Sequence, residues 1–269
     1  MANNLIHPTA VIHPDAKLHP TVQVGPYAVI DGGVELGAGC VVGPHVYLTG
    51  VTTIGANNRF HAGCVIGDAP QDLKYKDEPT RLRIGEGNVF REHVTVHRSN
   101  KLAEDTVIGS GGLFMANSHI GHNSIVGNHV IIVNGAMLGG HVTVEDRAFI
   151  SGNGMVHQFV RIGALSLMQG GAVATKDLPP FCVLHQVNEL CGLNVVGLRR
   201  AGFTAAERLE LKKLYRFMFR DGRPFREALT AAEGEFTAAP AKAFLAFAAA
   251  TKRGLCADTG KRGEVEAED

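Results

Sequence analysis

Residues 111–171 read GGLFMANSHIGHNSIVGNHVIIVNGAMLGGHVTVEDRAFISGNGMVHQFVRIGALSLMQGG. An apolar residue returns at every sixth position: Phe114, Ile120, Val126, Ile132, Leu138, Val144, Ile150, Val156, Ile162 and Met168. Upstream, the same phase holds through Ile108, Leu102, Val96, Phe90 and Ile84. It breaks at Glu78 and Asp72, then resumes from Ile66 back to Ile6. Neither a helical period of 3.6 nor a strand period of 2 produces this series. A short strand with one deeply buried residue, then a turn, then another strand does. Three such units close a triangular coil, and stacked coils make three parallel sheets with about 4.8 Å per step. On this reading the chain makes about ten coils, a prism roughly 45–50 Å long.

The residue after the apolar one is often glycine (Gly25, Gly37, Gly55, Gly109, Gly121, Gly139) and sometimes histidine (His7, His13, His19, His61). That slot is read as a turn position with positive φ, which glycine adopts at low steric cost. His45, His93 and His129 share a different slot and also read as turn residues. The fourth residue after the apolar one is often small, as at Ala28, Cys40, Cys64, Ser118 and Ala136.

If 18 residues make one coil, His122, Gly140 and Gln158 stack in a column. His141 lies over Asn123, and His157 sits beside Gln158. Residues 68–83 are charged and hold two prolines. They contribute no core positions and loop off the prism. Ser99–Asp105 is a polar excursion that keeps phase. The repeat ends near Ala174.

Thr204-Ala-Ala-Glu207 is a capping box, followed by apolar residues at helical spacing from Leu209 to Phe219. A second helix starts at Pro224, and a third follows Pro240. The expected organisation is a β-helix over 1–187, a helical domain over 188–257, and a disordered acidic tail over 258–269. Arg199, Arg200, Lys212, Lys213, Arg216, Arg220, Arg223 and Arg226 concentrate charge in the helical part. They read either as a solvated helix face or as a dock for an acidic partner and anionic phosphates.

The formal net charge is zero, so bulk electrostatics does not point to nucleic acid. No long apolar run predicts a membrane span. The N-terminus has neither the basic region nor the apolar core of a signal peptide. The five cysteines Cys40, Cys64, Cys182, Cys191 and Cys256 form no Cys-x-x-Cys and read as free thiols. The expected location is cytoplasmic.

Several motifs occur in order: QDLKY at Gln71–Tyr75, HVTVHR at His93–Arg98, NSHIGH at Asn117–His122, GGH at Gly139–His141, VHQF at Val156–Phe159 and GLNVVGLRR at Gly192–Arg200. Together they resemble the UDP-N-acetylglucosamine O-acyltransferases of lipid A synthesis, over nearly the whole chain. The period alone leaves the handedness open; the resemblance implies a left-handed parallel β-helix with a small C-terminal α-helical domain. It implies a homotrimer with sites between subunits. It implies transfer of a 3-hydroxyacyl group from acyl carrier protein to the 3-hydroxyl of UDP-N-acetylglucosamine. No cofactor is expected beyond the carrier's phosphopantetheine, and no metal.

The resemblance makes His122 the general base and Gly140 the backbone N–H donor to the oxyanion, the two groups such chemistry requires. It places His119 and His141 around the sugar and the groove. Asp72 and Lys74 fall on the sugar and the phosphate region, and His97, His157 and Gln158 on further substrate positions. Asn194 and Arg200 match nucleotide contacts, and Gly170 matches the residue that limits acyl length. Departures stand at Asn123, where the family often has Asp, at Val196, where some members have Glu, and at Arg200-Ala201, where an arginine pair occurs. The loop Leu184–Cys191 is one residue shorter. A 3-amino acceptor sugar, the sugar N-acyltransferase of the same pathway, a zinc carbonic anhydrase using His119, His122 and His141, and an inactive carrier-binding scaffold are the alternatives.

Overall fold

The computed structural model describes residues 5–260. The hexads fold into a left-handed parallel β-helix of three sheets. Strands recur in strict rotation. The first sheet has nine strands, from Val11–Ile12 through His119–Ile120 to Val173–Ala174. The second has eight, from Lys17–Leu18 through Ile125–Val126 to Arg161–Ile162. The third begins at Gln23–Val24 and is extended beyond the hexads to eleven. The prism is thus about nine layers and roughly 40 Å long, one layer short of the sequence expectation.

The missing layer lies in the loops. Residues 69–80 leave the prism between Val65–Asp68 in the first sheet and Arg81–Ile84 in the second. The predicted insert began too early and ended too late, because Thr80 and Leu82 are fully buried. The excursion after His97 is a second loop, and Leu102 is 56% exposed at its tip. Against an 18-residue coil the two loops insert twelve and six residues, so the phase survives them.

The core is a column at each apolar position. Phe60, Phe90 and Phe114 stack at centroid distances of 4.9 and 4.8 Å, one coil apart. The small residues Ala28, Cys40, Cys64, Ala136 and Ala172 are fully buried. Apart from Gly67, at φ 85°, the glycines after the apolar residue do not serve the expected turns. A Cβ at Gly37, Gly109 or Gly121 would lie 2.7 Å from the backbone of the next coil. Close approach of neighbouring coils explains them, not positive φ. The left-handed residues lie two positions later, at His45, Asn57, His93, Asn117, Asn123, His129 and His141. His45, His93 and His129 therefore match their reading as turn residues, whereas His7, His13, His19 and His61 do not.

The position between these two slots has its own rule. Its N–H points outward. Proline fits there at Pro26 and Pro44. At Ser110 and Asn128 the N–H is taken by a side-chain oxygen of the next coil, and at Ala164 by Glu145 of the preceding one.

Beyond the hexads, Cys182–His185 and Glu189–Leu193 form an antiparallel hairpin on the third sheet. The expected boundary at 187/188 falls in the turn of this hairpin, so β-structure runs on to Leu193. Among the described residues four helices follow: α1 (Val195–Arg200), α2 (Ala205–Phe219), α3 (Phe225–Glu235) and α4 (Ala239–Ala249). Thr204 and Glu207 form the predicted capping box of α2. The short α1, capped by Asn194, was not anticipated. The tail expectation also needs correction: Ala257–Asp258 pairs with Glu189–Leu190. The Asp258 carboxylate accepts from the Tyr215 hydroxyl at 2.8 Å and the Arg220 Nε at 2.7 Å. Residues 261–269 of the predicted tail lie outside the described residues. Arg161 and Thr251 reach across to dock the helices on the prism, through Phe247 O and the buried Asp177 carboxylate. No described helix is long and apolar enough to cross a membrane.

Candidate functional site

The corner between the first and second sheets carries the polar cluster. His122, Gly140 and Gln158 occupy the outward N–H slot of successive coils there, and the 69–80 and 98–104 loops spring from the same corner. His122 is 8% exposed. Its Nδ1 lies 2.9 Å from Asn123 Oδ1. Asn123 is itself fully engaged. Its Nδ2 donates to Ser99 Oγ and to Glu104 Oε2, each at 2.8 Å, and its Oδ1 also accepts the Asn100 N–H at 3.0 Å. A carboxylate only accepts, so the amide nitrogen of Asn123 faces Glu104. The oxygen then faces His122, whose Nδ1 carries the proton. The Nε2 lone pair is left free to take one.

Gly140 lies against that imidazole. A Cβ at Gly140 would sit 2.7 Å from His122 Nε2 and Cε1. The column predicted from an 18-residue coil is therefore real. Among the described residues no acceptor takes the Gly140 N–H, nor the His122 and Gln158 N–H groups of the same column, whereas Ser110, Asn128 and Ala164 are capped in the same slot. A free base and a free outward amide thus stand side by side.

The other histidines surround this pair. His141 meets the His122 ring edge-on at 5.2 Å and stacks on Phe159 at 4.6 Å. Burial, and then the neighbouring His122, hold its pKa below the ordinary histidine value. His119 Nδ1 lies 2.8 Å from Thr95 Oγ1. Burial first, then His97 and His122, push the His119 imidazole down to about 4. His97 is buried, and its Nδ1–H donates to Ala69 O at the root of the first loop. Among the described residues no three His, Cys, Asp or Glu side chains are arranged to hold a metal ion.

His119 carries a pH signature. An unfolded chain protonates this histidine near 6.5, the folded one only near 4. Between those values the unfolded state binds more protons. Stability from this group is complete above pH 6.5 and is lost as pH falls toward 4. His119→Gln should lose less melting temperature between pH 7 and 5 than the parent; an equal loss would contradict the assignment.

In the first loop, Asp72 Oδ1 accepts the Lys74 N–H at 3.0 Å and Oδ2 accepts Asn100 Nδ2 at 2.7 Å. The Lys74 amide and then Asn100 hold its carboxyl below the usual range. The Lys74 side chain is exposed, as are His157 and Gln158 on the coil after Gly140.

Three predicted residues lie elsewhere. Gly170 is on the corner between the third and first sheets, where a Cβ would touch only Gly152 O, at 3.7 Å. Asn194 is at the corner between the second and third sheets. Its Nδ2 donates to Leu165 O, and its Oδ1 accepts the Gly197 N–H, each at 2.9 Å. Both ends of its side chain serve the fold. Arg200 is exposed at the end of α1. Sequence reasoning missed Ser99, Asn100 and Glu104, which sit in the polar excursion and hold Asn123. The one available signal was Asn123 itself, an uncharged residue where a charge was expected.

A further cavity of about 770 Å³ lies between α2 and the hairpin, with Leu193, Leu198 and Tyr215 inside and Arg208, Lys212 and Arg216 at its rim.

Comparison with known proteins gives consistent results. A family profile described as Udp N-acetylglucosamine O-acyltransferase, Domain 2, matches residues 177–256. One described as bacterial transferase hexapeptide (six repeats) matches residues 15–50. The acyl-[acyl-carrier-protein]–UDP-N-acetylglucosamine O-acyltransferase of Syntrophobacter fumaroxidans is 41% identical, covering 93% of this chain and 98% of that one. The protein of the same name from Anaeromyxobacter sp. is 43% identical over 77% of this chain and 82% of that one. Among solved structures, the UDP-N-acetylglucosamine acyltransferase of Francisella novicida superposes with a TM-score of 0.91 at 33% identity, covering 94% of each chain. UDP-N-acetylglucosamine O-acyltransferase from Moraxella catarrhalis gives 0.89 at 33% identity, covering 94% of this chain and 99% of that one.

Proposed function

The chain belongs to the UDP-N-acetylglucosamine O-acyltransferase family and is an acyltransferase, and we propose that it transfers a 3-hydroxyacyl chain from acyl carrier protein to the 3-hydroxyl of UDP-N-acetylglucosamine. The observation that carries this reading is the pairing of His122, free at Nε2, with the unoccupied outward N–H of Gly140. His122 Nε2 takes the proton of the sugar hydroxyl as its oxygen attacks the thioester carbonyl. The carbonyl oxygen gains charge and is met by the Gly140 N–H. The C–S bond then breaks, and the phosphopantetheine thiol leaves with the proton returned by the imidazolium. The acyl chain arrives on its carrier, so the chemistry calls for no separate cofactor.

His119 and His141, neutral at pH 7 on the shifts above, suit hydrogen bonding to sugar oxygens. Asp72 and Lys74 project from the loop over the same corner and suit the sugar and the phosphate end of the donor. His97 braces that loop, and His157 and Gln158 extend the surface by one coil. Asn194, Arg200 and Gly170 belong to the other two corners of the same prism. A substrate touching all three sets needs more than one chain, and this supports a homotrimer with sites between subunits. Met137 and Met155, 50% and 49% exposed on the outward face of the first sheet beside His119, offer apolar surface to a second copy. Gly170 leaves room for a long acyl chain.

The test is acyl transfer from a series of 3-hydroxyacyl carrier proteins to UDP-N-acetylglucosamine and to its 3-amino analogue. Turnover with the hydroxyl sugar is expected. Turnover restricted to the amino sugar would replace the acceptor, and none with either would overturn the reading.

A further inference from the structure

The base His122 lacks the adjacent carboxylate that such a base ordinarily uses to stabilise its imidazolium. Asn123 stands there instead, and an amide cannot supply charge. We propose that Glu104 supplies it through Asn123, so that His122, Asn123 and Glu104 form a relay in which Glu104 is a positioning residue for the catalytic imidazole.

The geometry supports two roles. The first is orientation. Glu104 Oε2 accepts from Asn123 Nδ2 at 2.8 Å, and Ser99 Oγ lies at the same distance from that nitrogen. With its nitrogen held on that side, Asn123 presents oxygen to His122 Nδ1 at 2.9 Å. The Asn100 N–H at 3.0 Å reinforces that choice. An inverted amide would turn the imidazole to the wrong tautomer, with a hydrogen on Nε2.

The second role is charge. A carboxylate one hydrogen bond away polarises the amide and favours the imidazolium formed during transfer. The groups around it are consistent with an ionised Glu104. Lys101 Nζ is 2.9 Å from Oε1, on the solvent side. His141 Nδ1 is 3.8 Å from Oε2. Lys101 first, with Asn123 and His141 contributing, holds the carboxyl below its ordinary value. Asp72 and His119 also face His122; the Asp72 carboxylate is bound to Asn100 and the Lys74 amide.

The inference rests on His122 being the base, and the experiment separates the two claims. The variants are Glu104→Gln, Asn123→Asp, the double variant and His122→Ala, all in the full chain with confirmed melting temperatures. Glu104→Gln should lower kcat about tenfold, less than loss of a directly bonded carboxylate would cost, with both KM values nearly unchanged. The acidic limb of kcat/KM should move to lower pH, because a charge favouring the imidazolium is gone. The double variant, with a carboxylate directly on His122, should recover most of the activity and return the limb. Asn123→Asp alone should be slower than the double variant, because two carboxylates then meet at 2.8 Å spacing. This comparison holds even if Glu104→Gln alone folds poorly. An inactive His122→Ala beside a Glu104→Gln with unchanged kcat and pH profile would overturn the relay alone. An active His122→Ala would overturn the base reading and the relay with it.

Discussion

His122→Ala lowers kcat by about 10²–10⁴, the usual worth of a positioned general base. The loss falls on kcat more than on KM, because the imidazole acts on the proton in flight. The fold should be spared. Asn123 keeps its bonds to Ser99, Glu104 and Asn100 when the ring is removed, so no buried amide is orphaned. Rates at saturating carrier and sugar, set beside melting temperatures, check this. A drop below tenfold with a well-folded variant would remove His122 from the chemistry.

Gly140→Ala is the second large effect. Alanine keeps the backbone N–H, so a loss cannot come from removing the donor. It comes from the methyl group, which would lie 2.7 Å from His122 Nε2 and Cε1. The ring must swing away or the coil must shift. Either outcome separates the base from the amide, and a misplacement of this size costs on the order of 10² in rate. The neighbouring Gly139 offers a contrast. A Cβ there meets Gln158 N at 2.9 Å, so Gly139→Ala strains the stacking of coils rather than the imidazole. Gly140→Ala should therefore lose activity at nearly unchanged melting temperature, whereas Gly139→Ala should lose melting temperature first. Kinetics and thermal melts on the pair check the contrast. A fully active Gly140→Ala would contradict the packing.

Much of this was legible in the residues, for a definable reason. A hexad fixes one buried side chain per strand, so phase alone yields sheets, coils and the column at His122, Gly140 and Gln158. Phase also concealed what it could not encode. Partners 18 residues apart become 30 apart across the first loop and 24 apart across the second, as at Asn58–Asn88 and Thr95–His119. Since both insertions preserve the phase, Leu102 read as core and is solvent-facing. Glycine misled for a similar reason. Its freedom at positive φ suggested turns, yet Gly37 and Gly121 are small because another backbone lies against them. Asn194 shows a different limit. A family motif marked it for the nucleotide, while the structure gives its amide two partners within the fold. Glu104 could not be found by pattern, because its role depends on a loop closing over Asn123.

The most direct measurement mixes two defective chains. His122→Ala lacks the first-to-second-sheet corner, and Arg200→Ala lacks a group carried on α1, whose cap is fixed at another corner. Co-expressed with different tags and assayed at low UDP-N-acetylglucosamine, the mixed oligomers should regain about a quarter of parental activity. In a cyclic assembly one interface in four then joins an intact His122 to an intact Arg200. Activity no greater than the average of the two parent variants would contradict a site built between chains.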